Sequence, residues 1–213
     1  MKLLFKLLLL SNILFAADNT FLHQFFNKQQ CDQILYNDGY FTTCYDYKAK
    51  GAKFVAYTLD GSLVNKGDIK KRPKFYPDLN IPKQYRSEPK DYTHNLYEQD
   101  RGHLANDAAF DYSQRSLHAV YAMSNIISQA STVNRSTKAW AGVERFARAL
   151  AVKLGKINVL NGVIYSNNPK RIGHNQIAVP DAYWKMLYTD ERVAPGCSPN
   201  STPRGTSCSA CAI

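Results

Sequence analysis

The chain has 213 residues and a formal charge of +10, with 27 Lys and Arg against 17 Asp and Glu. After residue 16 it has no apolar run long enough to span a bilayer as a helix, so a soluble mature protein is expected. The positive balance favours polyanionic partners: nucleic acid, or an anionic membrane or cell-wall surface.

The first sixteen residues read as a secretory signal. Lys2 and Lys6 make the positive start, Leu7 to Leu10 with Ile13 to Phe15 the apolar run, and Ala16 and Ala17 the small residues of a cleavage site. Export would remove two positive charges and leave roughly 195 residues, enough for one domain with a real core. That domain is expected over residues 17–193, followed by a tail at 194–213 rich in Cys, Ser and Pro. No stable membrane insertion is expected once the signal is gone, and the location is periplasmic or secreted. Five cysteines in an exported chain suggest disulfides. Cys31 and Cys44 could close a short loop, while Cys197, Cys208 and Cys211 sit in a tail expected to be poorly ordered.

In chain order, Phe21–Leu35 is predicted as an amphipathic helix and Lys53–Leu59 as a strand. The strand ends at the Asp60-Gly61 turn, with Leu63-Val64 pairing back. Residues 65–92 carry Pro73, Pro77, Pro82 and Pro89 and are predicted as a basic surface excursion. The Tyr-rich run 91–97 is predicted to be extended. A short helix is expected over Ser116–Met123 and a longer one over Thr137–Leu154. In the longer helix Trp140, Val143, Ala147, Leu150, Ala151 and Leu154 repeat at helical spacing before Gly155. Strands follow at Ile157–Tyr165 and Ile177–Val179, then a helix opened by Pro180 and running through Leu187. Strands and helices without a regular β-α rhythm predict an α+β domain. Its central sheet should be mainly antiparallel and flanked by helices.

The chemistry concentrates at Asp100-Arg101-Gly102-His103-Leu104. A neutral His103 can accept a proton. Arg101 offers a permanent charge to a phosphate, and Gly102 would let the backbone bend so that the two converge. Asn134 carries a hard, neutral amide oxygen suited to magnesium or manganese; the ordinary alternative is an N-cap or turn role. On the Trp140 helix, Glu144 falls about 40° and Arg148 about 80° round from Trp140, at the edge of the apolar stripe. A surface salt bridge between them is the bland reading, worth about 0.3–0.5 kcal/mol. The alternative is a carboxylate that holds metal-bound water or fixes an arginine.

The ordered motifs resemble the DNA/RNA non-specific endonucleases of the beta-beta-alpha-metal superfamily. The D-R-G-H hallmark is Asp100 to His103. The following block is Ser124-Asn125 with Gln129 and then Asn134, and the helix pattern is Trp140, Glu144, Arg148. Val55-Ala56-Tyr57 and Pro180 to Lys185 add to the likeness, which covers Lys53 to Leu187. The resemblance implies a beta-beta-alpha-metal site in which His103 is the general base and Asn134 the single protein ligand of a divalent metal, Mg2+ or Mn2+. It implies that Arg101 and Arg72 meet phosphate, that Asn125 orients the site, and that Glu144 and Arg148 surround metal-bound water. DNA and RNA would be the substrates and 5′-phosphates the products. A non-catalytic nucleic-acid-binding or DNA-capture protein on the same fold is the alternative. Three departures stand out. Ser128 replaces the family's usual proline, Asn106-Asp107 replace small or proline residues, and Asn134 lies six residues before Trp140 instead of four.

Overall fold

The computed structural model describes residues 25–135, 139–189 and 210–212. The signal segment, most of the predicted first helix and Cys197 and Cys208 lie outside the described residues. No helix among the described residues is long and apolar enough to cross a membrane.

The fold is α+β, and its frame is one six-stranded sheet in the order β1-β2-β3-β6-β9-β10, antiparallel throughout. These strands are β1 (Gln33–Leu35), β2 (Thr42–Asp46), β3 (Gly51–Asp60), β6 (Lys156–Ile164), β9 (Ala182–Tyr188) and β10 (Ala210–Ala212). Alternation along the strands divides the sheet into two faces. Val55, Tyr57, Leu59, Ile157 and Val159 join the main core with Trp140, Ala147 and Ala151. Ala56 and Leu160 look the other way and meet Phe54, Trp184 and Met186. The cross-strand register Val55–Asn161–Lys185 places two polar side chains on the main-core face.

A second pair, β4 (Gln99–His103) and β5 (Ile126–Ala130), runs antiparallel with Arg101 opposite Ser128 and His103 opposite Ile126. The long connection between them contains the short helix α1 (Gln114–Ala119). Its Ser113 N-cap accepts a hydrogen bond from Ser116 N. After β5 come the single turn α2 (Ser131–Asn134) and the long α3 (Ala139–Leu154), completing a β-β-α unit. Two minimal strands, β7 (Arg171–Ile172) and β8 (Ile177–Ala178), form a separate pair.

Several expectations are corrected. The described end of the predicted first helix is a turn followed by β1, because the Cys31–Cys44 disulfide and antiparallel pairing to β2 hold it extended. The Pro180 helix is instead β9. Its Tyr183 and Lys185 alternate inward with Trp184 and Met186 outward, and β6 supplies the hydrogen bonds. Leu63-Val64 does not pair back but folds into a turn on Asp60 O, with Val64 entering the core. The Tyr-rich run is not extended: Pro89–Tyr92 is a 3-10 turn and Asn95 closes a tight loop after it. Residues 65–92 are more than a surface excursion. Tyr76 bridges to Ala122, Ile81 and Asp91 are buried, and Phe75 packs into the site described below. The end of the tail, expected to be poorly ordered, adds β10 to the sheet edge.

Candidate active site

His103 ends β4. Its ring lies 4.9 Å from Tyr121 and 5.4 Å from Phe75. Nε2 is buried and has no hydrogen-bond partner. Burial pushes the imidazole down to about 4, Asp107 opposes that shift and Arg72 adds to it. His103 is therefore neutral at pH 7.

Arg72, from the proline-broken segment, reaches this ring's surroundings. Its Nε lies 3.5 Å from Asp107 Oδ2 and its Nη2 3.2 Å from Asp111 Oδ2. The Tyr121 hydroxyl donates to the same Asp107 oxygen at 3.1 Å. Arg101 donates from Nη2 to Pro89 O at 2.7 Å and lies over the Phe75 and Tyr92 rings at 5.5 and 5.8 Å. Phe75 thus touches both Arg101 and His103.

Gly102 is not the bend the sequence suggests. It sits inside β4 opposite Ile127, and a Cβ there would meet Gln129 Oε1 at 2.4 Å and Gln129 Cβ at 2.6 Å. The glycine is required because the Gln129 side chain lies across it.

Asn125 is fully buried and clamps the chain just after His103. Its Oδ1 accepts from Ala105 N at 2.7 Å, and its Nδ2 donates to Ala105 O and Val120 O. From β6, Asn161 Nδ2 donates to Leu104 O at 2.9 Å. The two amides fix the turn that follows the histidine.

Glu144 and Arg148 are joined, but not directly. Asn106 Nδ2 donates to Glu144 Oε2 at 2.7 Å, and Arg148 Nη1 donates to Asn106 Oδ1 at 2.7 Å. This replaces the surface salt bridge considered from the sequence. Behind them stands Lys185, 3% exposed, with Nζ 4.6 Å from the Trp140 ring and 3.5 Å from the Tyr57 hydroxyl. Burial pushes Glu144 up to about 7, against the pull of Lys185 and Arg148. Burial also pushes Lys185 down to about 8, against Glu144.

Asn134, at the end of α2, donates from Nδ2 to Asp100 Oδ2 at 3.3 Å, and Arg135 Nε meets the same oxygen at 3.3 Å. Asp100 and His103 are three apart on β4 and leave it on opposite faces. The hydrogen bond engages the nitrogen end of the amide, so the oxygen, the hard donor that magnesium takes, is not consumed by it. Among the described residues no group of three His, Cys, Asp or Glu side chains could hold a metal. A neutral amide beside one carboxylate fits a hydrated hard cation that completes its shell with water and substrate oxygens.

The geometry therefore makes two groups. Arg72, Arg101 and His103 gather round Phe75 and Asp107, while Glu144 and Arg148 gather round Asn106; the consecutive residues Asn106 and Asp107 join them. Asn134 keeps company with Asp100. Sequence reasoning missed Asn106, Asp107, Tyr121, Asn161 and Lys185 as site residues. Asn106-Asp107 did stand out as a departure, and the run Pro180 to Lys185 as a likeness. Nothing local marks Asn161.

Comparisons with known proteins bear on the family and the fold. The family model described as DNA/RNA non-specific endonuclease matches residues 18–205. The "Nuclease 1, mitochondrial" of Schizosaccharomyces pombe is 27% identical over 77% of this chain and 53% of its own length. Human "Endonuclease G, mitochondrial" is 26% identical over 69% and 52%. A "Nuclease" of Nostoc sp. is 26% identical over 73% and 54%. The chain thus spans about half the length of these curated relatives. The crystal structure of the EndoG/EndoGI complex superposes with a TM-score of 0.62 at 25% identity, covering 69% of this chain and 64% of that one. With a family match over most of its length and a D-R-G-H strand in the matching fold, the chain belongs to the DNA/RNA non-specific endonuclease family.

Proposed function

We propose that the protein is an exported, divalent-metal-dependent endonuclease that hydrolyses the phosphodiester bonds of DNA and RNA and leaves 5′-phosphates. The observation that carries this reading is His103: a neutral imidazole with an unpartnered Nε2, set among Arg72, Arg101 and Asp107 at the end of the D-R-G-H strand.

Hydrolysis needs a base for water, positive charge for the phosphoryl oxygens and help for the leaving 3′ oxygen. His103 takes the water proton as the water oxygen attacks phosphorus and the bond to the 3′ oxygen breaks. A bound phosphate brings negative charge to the ring and raises its basicity from the depressed resting value. Arg101 spends Nε and Nη2 on Pro89 O, and a guanidinium has five N–H donors, so donors remain for a phosphate oxygen. Arg72 supplies a second charge, oriented by Asp107 and Asp111. Asn134 Oδ1 would hold a magnesium or manganese ion, which would supply positive charge to the phosphoryl and leaving oxygens; this requires Asn134, bonded here to Asp100, to turn toward the His103 face. Glu144 and Arg148 orient water and charge from the helix side. Contacts to phosphate in place of base edges give low sequence specificity.

Export to the periplasm or medium is supported by Lys2, Lys6 and the apolar run that follows them. The Cys31–Cys44 disulfide supports it too, since such bonds persist in oxidising compartments.

Plasmid cleavage tests the activity. Wild type with magnesium should nick the plasmid, chelator should stop it, and His103→Ala should be roughly 10²–10⁴ slower while binding DNA normally. If wild type and His103→Ala both bind DNA and are equally inert, the protein is a DNA-capture module and the nuclease reading is wrong.

A further inference from the structure

We propose that Asn106 is a positioning residue that stands between Glu144 and Arg148 and holds both at a fixed distance from His103. The proposal rests on the nuclease reading above and adds to it a role for a residue outside the D-R-G-H motif.

Glu144 and Arg148 are four apart on α3, the spacing at which a carboxylate and a cation on one helix ordinarily meet. The described residues show no direct ion pair between them. The Asn106 amide is interposed instead, donating to the carboxylate and accepting from the guanidinium at 2.7 Å each. Only a group with a donor at one end and an acceptor at the other can do both. Asn106 is 8% exposed, so water does not compete well for either bond. The separation has a chemical consequence. A direct pair would turn the two charges onto each other, whereas the inserted amide uses one oxygen of Glu144 and one nitrogen of Arg148. The second oxygen of Glu144 and the other N–H groups of Arg148 are not used by this amide.

The amide is also fixed with respect to the base. Asn106 is three residues beyond His103, and the intervening backbone is held at Leu104 O by Asn161 and at both polar atoms of Ala105 by Asn125. The chain from the imidazole to the Glu144 carboxylate therefore passes through fixed peptides and one short hydrogen bond. Glu144 also faces Lys185 from β9 and Asp107 from the turn after β4, with Arg148 on its own helix. Asn106 is the neutral member of that set and the one that bonds both helix residues.

Asn106→Leu has nearly the same shape and neither bond; Asn106→Asp keeps the acceptor for Arg148 and loses the donor. Both are compared with wild type for melting temperature, kcat, KM and pH profile with magnesium and plasmid. The Arg148 guanidinium signals are followed by nitrogen-15 NMR. Asn106→Leu should lose about 10–100-fold in kcat with KM nearly unchanged, and the slowed Arg148 Nη rotation of wild type should be lost. Asn106→Asp should keep the Arg148 signals, lose rate, and move the acid limb upward by about one pH unit because a carboxylate then faces Glu144. Unchanged kcat, pH profile and Arg148 signals in folded Asn106→Leu overturn the proposal. So does a rate loss that merely tracks a lowered melting temperature in both variants. If wild type itself is inert, the nuclease reading fails, and the Arg148 signals alone decide whether Asn106 holds the pair.

Discussion

Replacing Gly102 with Ala is a sharp test of how the D-R-G-H strand is built. A Cβ at this position would lie 2.4 Å from Gln129 Oε1, 2.6 Å from its Cβ and 2.9 Å from its Cδ. The first and last could be relieved by turning the Gln129 side chain about χ1 or χ2; the second cannot, because Cβ is fixed to the backbone of β5. Gln129 is fully buried and its amide atoms have no partner, so the displaced group also has no better place to go. Overpacking of this kind costs about 1–3 kcal/mol. In a chain of this size that lowers Tm by roughly 2–12 °C. The shift must also part β4 from β5 next to His103, and a displacement near 1 Å at a catalytic group can cost about 10² in rate. Thermal unfolding in chelator and plasmid cleavage in magnesium read the two effects. A second substitution, Gln129→Ala, removes Oε1 and Cδ but leaves Cβ. In the double-mutant cycle it should relieve part of the Gly102→Ala penalty, with a coupling of about 0.5–3 kcal/mol. A Gly102→Ala protein with wild-type Tm and rate, or strict additivity in the cycle, would refute the close-approach reading of this glycine.

Three further outcomes follow from the charges and the disulfide. The folded His103 value, about 4, is below the ordinary 6.5, so its neutral form is favoured by folding. The associated stability is fully present above pH 6.5 and is lost as pH falls toward 4; a His103→Leu protein should lack that component in acid-unfolding curves. Glu144, raised to about 7, must lose its proton to act as an anion, so kcat/KM should climb through pH 7, well above any limb due to free His103. Lys185→Met removes the main cation opposing that rise and should move the limb higher still, and an unmoved limb would separate Glu144 from catalysis. Cys31→Ser with Cys44→Ser should lower urea stability by about 2–4 kcal/mol and leave kcat intact, since the bridge ties the residues before β1 to β2, at the edge of the sheet away from β9. A large loss of kcat in folded, reduced protein would contradict that separation.

The helix pattern at Trp140 was legible because one amphipathic stripe drives it, and Trp140, Ala147 and Ala151 are indeed buried. The strand Gly51–Asp60 was legible for a similar reason, with β-branched and aromatic residues ending at a glycine turn. Pro180 to Leu187 was misread because proline at the start of an apolar run favours a helix, while the pairing with β6 that overrides it lies some twenty residues upstream. The segment 65–92 looked like surface because its prolines and lysines say so locally. Its burial comes from Phe75, Ile81 and Asp91 meeting residues far along the chain. The same limit applies to the site. His103, Arg101 and Glu144 announce themselves by motif, but Asn161 and Lys185 reach it only through the register of three strands, which no local spacing encodes.

That register also explains how the site can accommodate a longer turn before α3. The β4–β5 pair is fastened to the main sheet by directional bonds. Tyr183 donates to Ser128 O and accepts from Ala130 N, and Asn161 holds Leu104 O. Buried bonds of this type are costly to leave unmade, so they fix His103 whatever lies between Asn134 and Trp140. Glu144 and Arg148 are fixed in turn by Trp140 in the core and by Asn106. The side that depends on the turn is Asn134, and there the first residue of the motif intervenes. Asp100 takes the Asn134 amide on the face of β4 opposite His103. In the proposed function His103 would serve as the base, and Asn134, hydrogen-bonded to Asp100, would hold the metal. If the extra length were absorbed by moving Asn134, that hydrogen bond would be the first to break.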